Sequence, residues 1–524
     1  MTDGNGNAVD YFLDRHLRER HGERLAFADP WRRLTYGELA AATARFAAGL
    51  RDAGIERERR IALVMLDTID FPIAFWGALR AGVVPVPINT LLPPEITGYI
   101  LKDSRAAALF VSAPLLEPLR GVVEAAGMGR VVVSAPDGEG GDFGGFPAGG
   151  AEGGPGPAEC SPDEIAFWLY SSGSTGAPKG VRHIHSSLRA TAETYGMGVL
   201  GIAADDLMFS AAKLFFAYGL GNSMTFPMAV GAASILFPER PTPDAVLATM
   251  RAHRPTMFAG VPTLYAALLA HPEIGQGSTK GAGSDRLRRC ISAGEPLPEH
   301  IGLRWREKVG CDILDGLGST EMLHIFLSNR PDDIRYGTTG KPVPGYELMI
   351  LDESGHKVAD GEPGELVVRG PSAAEGYWNQ REKSRRTFRG EWTYTGDTYT
   401  RDPDGYYRYN GRSDDMLKVG GIWVSPFEVE EALIGHKAVL EAAVVGQPDE
   451  DRLIKPKAFV VLQEAARRDD PAALTAVLQE HVKAQIGVWK YPRWIEFRDA
   501  LPKTATGKIQ RYKLRDEEGR SPSM

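Results

Sequence analysis

Short β-rich runs alternating with helical stretches constrain this chain more than any other feature. RIALVML, GVVPVPI, AALFVS and RVVVSA punctuate roughly the first 135 residues, with helical patterns between them. That alternation implies βαβ units around a parallel sheet, because parallel strands need long crossovers. Residues 137–158 are crowded with Gly, Pro and Ala and read as a surface connection. The alternation resumes in GAASILF, PTMFAG, RRCISAG and CDILDGLGST, several of which end in Gly and a small polar residue, as binding loops at strand ends do. GQGSTKGAGSD reads as a mobile loop.

From about Tyr336 the texture changes to short, turn-punctuated strands, YELMILDE, GELVVRG and GYYRYNGR, which suggest a smaller β-rich subdomain. After NGRSDDMLKVGG, Ser425, Pro426 and Glu428 form a capping box with Pro at the first helical position. The rest, with a helix through AALTAVLQEHVKAQI, reads as a compact α+β module, and the boundary is placed at Gly411–Asp415.

With 524 residues the chain is too long for one compact core. A net charge of −8 argues against nucleic acid as the main partner, since such a face needs a basic excess. Cys160, Cys290 and Cys311 form neither a disulfide framework nor a C-x-x-C pair, which suits a reducing compartment. The charged start has no apolar core of a signal peptide, and no apolar stretch approaches 18 residues. These features predict a cytoplasmic protein away from membranes.

Five segments carry candidate chemistry. YSSGSTGAPKG, Tyr170–Gly180, offers hydroxyls, glycines and one lysine, which suit a phosphate-holding turn leading into a helix through VRHIHSSLRATAETYG. It fits neither the Walker nor the dinucleotide pattern, and a plain Gly/Ser turn has the same composition. GLGSTEM, Gly316–Met322, puts Thr320 beside Glu321; a carboxylate near polyphosphate needs a hard cation between them, so Glu321 reads as a Mg2+ ligand, with a helix N-terminus as the alternative. A turn at Asp404–Gly405 brings Asp397 and Arg412 together, where they could meet one hydroxylated ligand or stand as solvated surface charges. LPKTATGKIQR puts two lysines near the chain end, sensible as catalysis only if a small domain docks during part of the cycle. AKLFFAYGLGNSMTFPM can wall a slot for a planar ring or simply pack a core. His183 and His185, with no further ligand cluster, read as structural.

The first four of these segments, in this order, resemble the acyl-adenylate-forming superfamily, and AFWLYSSGSTG, AAKLFFAYGLGN, STEMLHIFLSN, YGTTGKPVPGYE, DDMLKV, SPFEVE and LPKTATGKIQR resemble the benzoate–CoA ligase family in particular. The resemblance covers nearly the whole chain. It implies an α/β fold: a large N-terminal domain (1–411) of two βα sheets plus a small β-barrel, and a mobile α+β C-terminal lid (412–524). It also implies ATP, Mg2+ and coenzyme A as cofactors, a small aromatic carboxylic acid as substrate, and a homodimer.

Residue by residue, the resemblance implies that Ser171, Ser172, Gly173, Ser174, Thr175, Gly176 and Lys179 wrap the ATP phosphates. Ala293, Gly294, Glu295, Asp315, Gly316 and Leu317 would frame adenine, with Ser319 beside them. Thr320 would touch phosphate, Glu321 would hold Mg2+, and Asp397 and Arg412 would bind ribose. Ala217, Tyr218, Gly219, Gly318, His324 and Ile325 would line an aryl pocket, in which His324 or Tyr218 offers a hydrogen bond to a ring substituent. Asp414 would be the hinge, Lys508 would bridge the substrate carboxylate and the α-phosphate, and Gly420, Gly421 and Trp423 would border the CoA tunnel. Gly421 stands where the family often has Ser, and Gly487-Val488-Trp489 departs from its usual A-P-Y-K-Y-P-R run.

The implied activity is ATP-dependent activation of benzoate or a small substituted benzoate, 2-aminobenzoate included, to aryl-AMP and then aroyl-CoA. Two rivals remain at this stage. One is an adenylating enzyme that loads a carrier protein in trans. The other is a nucleotide sensor, disfavoured because binding alone needs neither Glu321 nor Lys508.

Overall fold

The computed structural model describes residues 6–137, 141–146, 156–171, 177–275, 282–419, 422–450, 453–468, 470–488, 490–503 and 509–519. The chain forms two compact units, Met1–Leu348 with Val368–Thr393, and Met349–Val367 with Tyr394–Met524. The β-rich stretch after Tyr336 therefore divides between them, because the chain crosses inside the strands Glu347–Leu351, Gly364–Arg369 and Trp392–Arg401.

The first unit carries the two sheets that the alternation predicts. In the smaller, Val84–Pro87, Arg60–Val64, Ala108–Ser112 and Val131–Ser134 lie side by side, all parallel. They are short apolar runs because helices cover them, as strands buried on both faces require. In the larger sheet, Ile313–Gly318, Arg289–Ala293, Met257–Gly260, Leu207–Ser210, Ala233–Ile235 and Leu25–Ala28 run parallel in that order. Antiparallel strands close both edges, Arg33–Thr35 on one side and Ile325–Ser328 with Lys341–Pro342 on the other. Phe209, Phe258, Tyr265 and Trp305 form the apolar layer under this sheet, and Tyr265 and Trp305 meet edge to face at 4.8 Å.

The α+β module of the second unit has an antiparallel pair, Val439–Pro448 with Ile454–Leu462, extended in parallel by Trp494–Phe497. The helices Pro426–Ile434 and Pro471–Ile486 pack on it through Val429, Leu433, Leu474, Leu478 and Val482. The capping box expected at Ser425 is half made. Ser425 Oγ accepts from the Glu428 amide at 3.2 Å, but both Glu428 oxygens are held by Lys490 Nζ at 2.6 and 2.7 Å. A nearby ammonium outcompetes the backbone amide for a carboxylate. Thr35 and Glu38 do form the reciprocal pair, at the start of the Tyr36–Asp52 helix.

Candidate active site

The segments that flank the glycine-rich loop pair as antiparallel strands, which corrects the strand–loop–helix expectation. Ile165–Ser171 pairs antiparallel with Lys179–Ile184, and Ser171 faces Lys179 as the last pair. The reason is a period of two over the last four residues of Lys179–Ile184: Val181 and His183 are buried while Arg182 and Ile184 are only partly so, and the helix starts only at His185. Ser172, Gly173, Ser174, Thr175 and Gly176 lie outside the described residues.

Glu321 sits opposite the pair Ser171 and Lys179. Its Oε1 accepts from the Tyr377 hydroxyl at 2.9 Å and from Ser171 Oγ at 3.5 Å, and Lys179 Nζ lies 4.0 Å away. Lys179 also reaches the Tyr377 hydroxyl at 3.3 Å and stands 4.3 Å over its ring. Glu321 Oε2 has no hydrogen-bond partner among the described residues. One free carboxylate oxygen beside a serine hydroxyl fits Mg2+, which takes one or two carboxylates and fills its remaining positions with water and phosphate oxygens.

The turn that presents Glu321 is no helix N-terminus. Ser319 Oγ accepts from the Met322 amide at 3.2 Å, Leu323 N donates to the Thr320 carbonyl, and His324 N donates to the Met322 carbonyl at 2.8 Å. Leu323 is buried with φ of 63°, a left-handed conformation that costs a non-glycine residue on the order of 1 kcal/mol or more. Tertiary contacts hold it there. His183 Nε2 donates to the Thr320 carbonyl at 2.8 Å, and the Ala374 amide donates to the Glu321 carbonyl. Burial pushes His183 down to about 4, so it is a neutral donor. His185 Nδ1 accepts from the Ala8 amide, which makes it a structural residue, as the sequence suggests.

Two other predicted groups also come together in this unit. Ala293 and Gly316 are register partners, so Ala293–Glu295 and Asp315–Leu317 leave adjacent strand ends. Gly294 takes φ of 93° with open space where a Cβ would stand. Asp315 is buried, one of its carboxylate oxygens has no partner, and burial pushes its carboxyl up to about 8.

Ala217, Tyr218 and Gly219 open a helix that runs through a π-helical stretch, Gly221–Thr225, to Val230. His324 packs on it, with Nε2 at 3.3 Å from the Tyr218 carbonyl and its ring 4.5 Å from Phe226, 5.3 Å from Tyr195 and 5.8 Å from Tyr218. Its Nδ1 is buried without a partner, and burial pushes the imidazole down to about 3, so that nitrogen carries a free lone pair. Glycines make the room: a Cβ at Gly318 would stand 2.7 Å from the His324 carbonyl carbon, and one at Gly221 2.4 Å from His324 Cδ2. Ile325, fully buried, contacts Gly316. The Tyr218 hydroxyl sits 3.0 Å from both the Gly260 and Ile291 carbonyls, which take its one proton. Of the two residues proposed to meet a ring substituent, His324 is the one with a free site.

In the second unit, Asp397 and Arg412 are register partners across the hairpin, joined by Nη1 to Oδ1 at 2.9 Å. Arg412 also donates to the Thr395 carbonyl, and a Cβ at Gly396 (φ 69°) would stand 2.8 Å from Nη2. Asp414 lies in the turn Ser413–Asp415, and Trp423 on the strand Ile422–Val424 opposite Lys418. Their side chains lie outside the described set, as do Gly420, Gly421 and Lys508. Tyr377 escaped sequence reasoning. It stands 56 residues from Glu321, in a segment no chemical pattern marks.

The AMP-binding enzyme profile matches residues 13–378, and the AMP-binding enzyme C-terminal domain profile matches residues 428–508. A 4-hydroxybenzoate–CoA/benzoate–CoA ligase of Rhodopseudomonas palustris is 54% identical over 513 residues, covering 97% of this chain and 94% of that one. The crystal structure of a benzoate CoA ligase from Burkholderia xenovorans superposes with a TM-score of 0.88 at 51% identity, over 98% of this chain and 100% of that one. That of the anthranilate CoA ligase AuaEII in complex with anthranoyl-AMP gives 0.89 at 42% identity, over 98% and 97%. The chain belongs to the AMP-binding enzyme family. Within it, the chain is an AMP-forming acid–thiol ligase of the benzoate–CoA ligase type.

Proposed function

We propose that this enzyme converts benzoate or a small substituted benzoate to its CoA thioester, with ATP cleaved to AMP and pyrophosphate. Similarity to benzoate and anthranilate CoA ligases along almost the entire length of all chains carries this reading. In the first step a carboxylate oxygen of the aryl acid attacks the α-phosphorus and pyrophosphate leaves. In the second the CoA sulfur attacks the acyl carbon, the thiol proton is lost, and AMP departs with the carboxylate oxygen. Bound Mg2+ supplies charge neutralisation on the phosphate oxygens. Ser171, Lys179 and the glycine-rich loop would hold the phosphates, Thr320 and Glu321 would face them, and Asp397 and Arg412 would bind ribose. Lys508 would bridge the two reacting groups, Asp414 would be the hinge of the lid, and Gly420, Gly421 and Trp423 would border the CoA path.

His324, neutral and with Nδ1 free, favours a ring that offers a hydrogen-bond donor, which makes 2-aminobenzoate a leading substrate. Cys160, Cys290 and Cys311 are buried cysteines outside any disulfide, which supports a reducing compartment. No helix among the described residues is long and apolar enough to cross a membrane. The test is pyrophosphate release and thioester formation across a panel of benzoates, with CoA and with an acyl carrier protein offered separately. Aroyl-CoA with a preference for one benzoate supports the reading; adenylation with acyl transfer only to the carrier overturns it.

A further inference from the structure

A further cluster of polar side chains lies apart from the residues assigned above, where the first helical segment, residues 10–18, ends. His16, Glu19 and His21 bring one ligand atom each within 4.8 Å of one another. His16 Nδ1 and His21 Nδ1 both face Glu19 Oε2, at 4.0 and 3.6 Å. The backbone is bent to make this possible: Arg20 adopts φ of 61°, and the His21 amide returns to the His16 carbonyl at 2.7 Å.

His16 is the informative member. Its ring is 2% exposed, packed 4.6 Å from Tyr36. Nε2 lies 2.6 Å from the Met228 carbonyl and so carries the proton, which leaves Nδ1 with a lone pair. That Nδ1 is buried and has no hydrogen-bond partner, an arrangement folded proteins seldom leave unanswered. Gly231, at φ of 72°, keeps space beside this atom, since a Cβ there would stand 3.3 Å from Nδ1.

We propose that His16, Glu19 and His21 bind a divalent transition-metal ion of borderline softness, with Zn2+ the best match. Two imidazole nitrogens and one carboxylate oxygen are a zinc donor set, whereas Mg2+ and Ca2+ select oxygen. The fourth position falls to water, because Glu19 and His21 side chains are 48% and 36% exposed. Tetrahedral zinc donors stand about 3.3 Å apart, so these two side chains close in by roughly 1 Å. The bond from His16 Nε2 to the Met228 carbonyl fixes the ligating tautomer, as outer partners of metal-bound histidines do. Two cations border the site. Arg15 Nε lies 3.8 Å from Glu19 Oε1, the oxygen turned away from His16 and His21, and Arg24 Nη1 lies beside the space kept by Gly231. Donor chemistry rather than net negative charge therefore provides the affinity. An ion here would tie the end of the first helical segment to the Phe226–Val230 helix through His16.

The test uses the full-length enzyme, stripped with chelator and titrated with Co2+ and then Zn2+ in millimolar Mg2+. The expected result is one equivalent of Co2+ with a visible d–d band, displaced by Zn2+, and a rise in melting temperature with Zn2+. His21→Ala, at a half-buried position, and Glu19→Gln, at an exposed one, should weaken binding by roughly tenfold or more and abolish the Zn2+-dependent rise, while adenylation without added zinc stays at the wild-type rate. Binding of equal stoichiometry and strength in His21→Ala, or no Co2+ band in the wild type, overturns the proposal.

Discussion

Tyr377 donates its hydroxyl proton to Glu321 Oε1 across 2.9 Å while the Lys179 ammonium rests 4.3 Å above its ring. The tyrosine thus holds the carboxylate with its edge and the lysine with its face. Tyr377→Phe keeps the face and removes the donor. A hydrogen bond to a charged group is worth about 1.5–3 kcal/mol, so kcat/KM for pyrophosphate release should drop roughly tenfold to a hundredfold. Raising Mg2+ should recover part of the loss, because an unpositioned Glu321 holds the cation less well. Wild-type kinetics at limiting Mg2+ would remove Tyr377 from the site.

Gly221→Ala tests the aryl pocket. The added methyl would stand 2.4 Å from His324 Cδ2 and 2.6 Å from Nε2, so the imidazole must leave its place against the Tyr218 carbonyl. The expected result is a KM for the aryl acid raised by roughly tenfold or more, with ATP binding by calorimetry unchanged. His324→Ala should then impair 2-aminobenzoate more than benzoate. Equal effects on the two acids would show that Nδ1 meets no ring substituent.

Three buried histidines set an acid limit on stability. Burial holds His183 and His185 near about 4 and His324 near about 3, against about 6.5 in an unfolded chain. Below pH 6.5 the unfolded state takes up protons that the native state refuses, so stability is lost as pH falls toward 4. Asp67 and Asp315 act in the opposite sense, since burial raises them to about 6 and about 8, so native stability falls as pH rises from the ordinary carboxylate range near about 4 through those values. Below pH 6.5 the three histidines outweigh the two carboxyls, so the net effect is a loss of stability toward acid. Denaturant titrations of wild type and His183→Gln at pH 6.5 and pH 5 should diverge by about 2 kcal/mol in their pH dependence. Parallel curves would mean that His183 titrates normally in the native state.

The parallel sheets were legible because apolar runs and their spacing follow directly from burial on both faces. The Asp397–Arg412 pair was legible because a turn at Asp404–Gly405 fixes a register, and the structure pairs those two residues in it. The phosphate-loop context was misread. Residues 181–184 alternate like a strand, but the helix-forming residues after His185 mask a four-residue signal. The half-made box at Ser425 shows a second limit, since nothing local foretells that Lys490, 62 positions away, takes the Glu428 carboxylate. Tyr377 and the left-handed Leu323 have the same character: tertiary contacts place them, and neither side chain announces its partner.

Lys508→Ala tests the role carried by the family resemblance. Adenylation should collapse by roughly a hundredfold or more, while thioester formation from supplied aryl-adenylate and CoA is largely retained. Equal loss in both half-reactions would contradict a lysine that serves the first step alone.

Glu430 and Arg511 pair a buried carboxylate with a part-buried guanidinium in the C-terminal unit. Glu430 is 4% exposed, accepts from Arg511 Nε at 3.0 Å and Nη2 at 2.6 Å, and takes the Val444 amide at 2.7 Å. The carboxylate drives the Arg511 pKa upward, so the guanidinium is charged throughout the working range. Arg511 begins the last described helix, directly after Ile509 bridges Lys503 and the Gln510 amide donates to the Pro502 carbonyl. Glu430→Gln keeps the shape and removes the charge, which leaves the part-buried Arg511 guanidinium without its main partner, with Asp415 the remaining carboxylate, at a cost of about 2 kcal/mol. The unfolding transition of the C-terminal unit should move down accordingly, while the first unit's transition stays in place. Glu430→Gln with Arg511→Met removes both charges, and a double-mutant cycle should return most of the loss. If the double variant is less stable than Glu430→Gln, the ion pair is not what holds this end of the chain.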